Sequence, residues 1–68
     1  MIADDDQLKV TLERITWFQN QIAALRKTET NPVNYRAAVS SFLAEVDRMQ
    51  LQVREYLSDL PAESVGAA

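Results

Sequence analysis

Sixty-eight residues allow one small domain. The absence of both Cys and His removes the disulfides and the usual zinc ligands that hold many domains of this size. The formal net charge of −3 opposes a general grip on nucleic acid through a basic field, so an RNA partner is disfavoured on charge. The opening Met1-Ile2-Ala3-Asp4-Asp5-Asp6 lacks the basic-then-apolar order of a secretory signal, and no run of about 18 apolar residues could span a membrane. A cytoplasmic location without membrane attachment is the expectation.

Asp4, Asp5 and Asp6 suit a helix start, because carboxylates accept hydrogen bonds from free N–H groups and favour the positive end of the helix dipole. Arg26 and Lys27 suit the opposite end, and the first helix is placed at about residues 5–28. Its body is mildly basic, with Lys9, Arg14, Arg26 and Lys27 set against Glu13 and Glu29. Leu8, Thr11, Ile15, Phe18, Ile22 and Leu25 alternate at spacings of 3 and 4, which is the seam of a packed helix, and Leu12 widens it on one side.

Thr30-Asn31-Pro32 is a second start. Asn31 can cap, and Pro32 in the first helical position loses no hydrogen bond because its missing N–H would have been unpaired. The second helix should run from about 32 to about 59, where Leu60-Pro61 closes it, since a residue before proline is pushed out of the α region. Tyr35, Val39, Phe42, Val46, Met49, Val53, Tyr56 and Leu60 form an unbroken heptad seam along it, widened by Leu43 and Leu57. Residues 61–68 carry little to bury and are expected to be a mobile tail.

The link Thr28-Glu29-Thr30-Asn31 is short, and short links make antiparallel neighbours. The expected fold is all-α, an αα-hairpin over residues 1–60. A stripe three positions wide per heptad exceeds what one neighbouring helix requires. Two hairpins pairing as a homodimeric four-helix bundle would satisfy both stripes, with Ile15, Phe18, Ile22, Val39, Phe42, Val46, Met49, Val53 and Tyr56 as its oligomer core. A hetero-oligomer, in which the second layer belongs to another protein, is the competing assembly.

Chemistry finds little support. Ser40-Ser41 has no base at a useful spacing, and a mid-helix serine usually bonds back to its own helix. Carboxylate metal sites in helical bundles pair Glu with His, which is lacking; Glu55 and Asp59 read as a solvated acidic pair and Asp4 to Asp6 as capping residues. No catalytic, metal or cofactor residues and no small-molecule substrate are assigned.

Trp17 stands off the seam, in a second stripe with Val10, Arg14, Gln21 and Ala24. An aromatic ring between an arginine and a glutamine can anchor a protein contact or stack on a base, or it can close the edge of the bundle. Val10, Arg14, Trp17 and Gln21 are therefore the candidate interaction residues. Leu51, between Arg48 and Glu55, is a second apolar residue off the seam.

With two long helices, one short link and heptads throughout, residues 7–60 resemble the repressor-of-primer (Rop) proteins, in architecture and pattern. That resemblance implies hairpins paired into an antiparallel four-helix bundle, and RNA loops bound by polar residues and an exposed aromatic on the first helix. Trp17 and Gln21 are similar to part of that surface, whereas Glu13 replaces an uncharged position. A non-catalytic module binding another protein is the expected function, with an RNA-binding regulator of Rop type as the alternative.

Overall fold

The computed structural model describes residues 1–59 and contains two helices, α1 (Asp5–Thr28) and α2 (Pro32–Leu57), packed on each other as a hairpin. Among the described residues there is no strand. α2 ends two residues before the expected position 59, on Ser58, whose N–H still reaches the Arg54 carbonyl. The expected closing pair Leu60-Pro61, the last seam position and the tail 61–68 lie outside the described residues.

Both helix starts are built from the polar residues that precede them. The Asp4 side chain accepts from the Gln7 N–H at 2.8 Å, and the Gln7 side chain reaches back to accept from the Ala3 N–H, also at 2.8 Å. This reciprocal pair resembles a capping box, shifted by one residue on the return bond. Asp5 and Asp6 occupy the first turn and Arg26 and Lys27 the last, each with a sign that complements the dipole.

Asn31 caps α2 by accepting from the Val33 and Asn34 N–H groups, with Pro32 just inside the helix. Between the helices, Glu29 leaves the α region, and its side chain accepts from the Asn31 N–H at 3.0 Å. The turn therefore satisfies its own backbone without a glycine. No described residue takes a positive φ.

The seams meet as the heptads require. Ile15, Val46 and Met49 form the buried centre, with Phe18 and Val53 packed on it, and Val39 is buried nearer the turn. The Phe18 and Phe42 rings lie 5.6 Å apart and place those residues at one level. Tyr56 Oη donates to Asp5 Oδ1 at 2.6 Å, which fixes the same antiparallel register at the other end. Ile2 is also buried, a core residue ahead of α1 that helical periodicity had no means of finding.

Candidate functional site

The hairpin has two unequal flanks. In the heptad of α1, Leu8, Ile15 and Ile22 occupy one seam position and Thr11, Phe18 and Leu25 the other; in α2 these are Val39, Val46 and Val53, and Tyr35, Phe42, Met49 and Tyr56. The positions beside the first set, which include Leu12 and Gln19 on α1 and Leu43, Gln50 and Leu57 on α2, are all exposed. Positions beside the second set are more enclosed on α2, where Ala38, Glu45 and Gln52 are half-buried, than on α1, where Gln21 is half-buried but Gln7, Arg14 and Thr28 are exposed. In an antiparallel pair like positions flank the same side, so the hairpin is closed along one edge and open along the other.

Leu12, Leu43 and Leu57 retain 45%, 46% and 62% of their surface. The register set by the Phe18–Phe42 and Asp5–Tyr56 contacts places Leu12 between the other two along the axis. Leu43 and Leu57 are two heptads apart, about 21 Å at the α-helical rise. Val33, 71% exposed, continues the apolar line toward the turn and stands off the seam, where a seam-based reading gives it no role. A shallow groove along α1, lined by Leu8, Lys9, Leu12 and Thr16 with Asp5 and Glu13 at its margins, belongs to this open flank.

The core between the two helices is incomplete. Among the described residues no side chain is wholly buried, and the deepest are Met49 and Val46. Of the nine expected oligomer-core residues, Ile15, Val39, Val46 and Met49 are buried, while Phe18, Ile22, Phe42, Val53 and Tyr56 are half-buried. Interiors are normally close-packed, so these half-exposed aromatic and branched side chains are packed less fully than a core usually is.

The candidate interaction residues lie on the opposite side. Val10, Arg14 and Trp17 are exposed and Gln21 is half-buried. The Trp17 ring stands edge-on to Phe18, with centroids 5.0 Å apart and planes at 84°, and 54% of the residue remains exposed. That contact ties the indole to a core ring without covering its outer face. Near the same level, α2 carries the exposed Glu45–Arg48 ion pair. Leu51 lies on the side of α2 turned away from α1 and is not continuous with Trp17.

The hydroxyls of Ser40 and Ser41 donate to the Arg36 and Ala38 carbonyls, and those of Thr11, Thr16 and Thr28 also bond back to their own helix. Among the described residues no group of three carboxylates converges as a metal site would need. No described helix is long and apolar enough to cross a membrane.

The fold and surfaces define an all-α helical hairpin with one leucine-lined flank uncovered and Trp17 exposed on the other side. Against known proteins, the chain matches no family model, no curated protein and no solved structure.

Proposed function

We propose that this chain is a non-catalytic interaction module that acts in the cytoplasm as a homodimer, two hairpins forming a four-helix bundle, and presents the Trp17 face to another protein. The observation that carries the reading is the unfinished core: Phe18, Ile22, Phe42 and Val53 remain half-exposed after the two helices have packed. A second layer removes that surface from water at about 25 cal/mol per Å² and raises packing toward that of an interior. Trp17 supports the binding half of the proposal. A large amphipathic ring held by Phe18 and flanked by Arg14 has the composition of an interface anchor.

Sedimentation equilibrium at micromolar concentration tests the assembly: the expected mass is twice that of the chain, and a well-folded monomer overturns the dimer. For the binding face, Trp17→Ala should preserve the dimer and its melting temperature while abolishing capture of a partner protein. Loss of dimer stability would return Trp17 to a packing role.

Arg14 on the same face as the exposed indole favours one further reading, an RNA-binding regulator of Rop type, because a cation beside a stacking ring suits a phosphate and its base. Such binding should fall steeply with added salt and depend on Arg14, Arg26 and Lys27. Failure to retard structured RNA at low salt disposes of it.

A further inference from the structure

We infer that the second copy docks on the open flank, over Leu12, Leu43 and Leu57, and leaves the Val10–Trp17 side at the periphery of the dimer. The inference rests on the homodimer proposed above and specifies which surface forms it.

Area is the first argument. The flank is about 36 Å long for a 24-residue helix. Two helices packed roughly 9 Å apart, each about 10 Å across, make it about 19 Å wide. Face-to-face pairing would then cover about 700 Å² on each hairpin, close to the roughly 800 Å² per partner of a standard stable interface. A single uncovered leucine needs no partner, but three leucines at equivalent heptad positions on one flank do.

Charge is the second. In the row directly beside the seam, the middle positions are Leu12 and Gln19 on α1 and Leu43 and Gln50 on α2, all uncharged, with Thr16 and Ser40 in the next row out. In the seam-side row Asp5 lies at the end that holds Tyr56 and Arg26 and Arg36 at the turn, while Lys9 and Asp47 stand in the outer row with Thr16 and Ser40, Asp47 near the level of Leu12. A seam-side row that is uncharged in its middle and charged toward its ends is how interface centres differ from ordinary surface. The same patch on both copies forms an isologous contact about a two-fold axis, which closes at two subunits. The other flank differs: half-buried Glu45, Gln52 and Gln21 border it, and the Glu45–Arg48 ion pair lies along α2 on that side.

The chain contains no cysteine, so single-cysteine variants can be spin-labelled at one place. In the full-length protein, labels on L43C should give a short distance between copies, and labels on W17C a longer one. The reverse order overturns the inference. As an independent measurement, the double variant Leu12→Arg/Leu43→Arg should weaken dimerisation at least tenfold by sedimentation, whereas Val10→Arg/Trp17→Arg should dimerise like the parent. If the parent protein is a dimer and only the Val10/Trp17 variant dissociates, the assigned face is wrong and the homodimer stands. A monomeric parent protein removes both.

Discussion

The two flanks of the hairpin are made of similar helices, yet one is closed and the other open. Along the more enclosed flank, Gln21, Ala38, Glu45 and Gln52 are half-buried, and the Glu45 carboxylate pairs with Arg48 on the same helix. Along the open flank the corresponding positions hold Leu12, Leu43 and Leu57, whose side chains have no polar end to leave in solvent. A flank bordered by amphipathic side chains can leave polar ends in water, and one bordered by leucine cannot.

The largest expected effect strikes what the two flanks share. Val46→Asp places an unpaired charge at the buried centre beside Ile15 and Met49, and should abolish the cooperative helical melt followed by circular dichroism. Unchanged melting would mean that the seam does not hold the hairpin. Next, Ile15→Ala should cost about 2–4 kcal/mol in denaturant unfolding, as is usual for deleting a buried branched side chain. Leu12→Ala, one heptad flank away, sharpens the comparison: its cost should depend on protein concentration, growing where the dimer is populated.

Smaller effects belong to the ends. Asn31→Ala removes the acceptor for two N–H groups of α2 and should cost about 1 kcal/mol in thermal or denaturant unfolding. Tyr56→Phe removes the hydrogen bond to Asp5, on an exposed edge, and should cost about 0.5–1.5 kcal/mol by the same measurement. The smallest change should come from Trp17→Ala: about 0.5 kcal/mol or less if its only structural contact is the edge of Phe18, so a cost above 2 kcal/mol would make it a packing residue.

Much of the fold was legible because it is specified locally. Asp4 and Asn31 cap the helices they precede, Pro32 opens α2, and the alternating apolar spacings select the sides that meet. Such signals act over three or four residues, the reach of a hydrogen bond or a helical turn, so a linear reading captures them. Ile2 was not legible, since it precedes the helix and its burial depends on how the chain enters α1. Nor was the Tyr56–Asp5 bond, whose partners stand 51 residues apart. Tyr56 reads simply as a seam aromatic until the register brings a carboxylate to its hydroxyl.

The sequence by itself determined two helices, their caps and the stripe by which each would pack, because periodicity and capping are properties of neighbours along the chain. Leu12, Leu43 and Leu57 were visible there as a widening of the stripe, without any sign of which side of the hairpin they would occupy. Only the tertiary structure decided that. When α1 and α2 settle with Gln21, Ala38, Glu45 and Gln52 half-enclosed on one edge, the rotation of both helices about their axes is fixed, and the leucines are left together on the other. Helix rotation is set by the balance of contacts across the whole seam, which no local run of residues encodes.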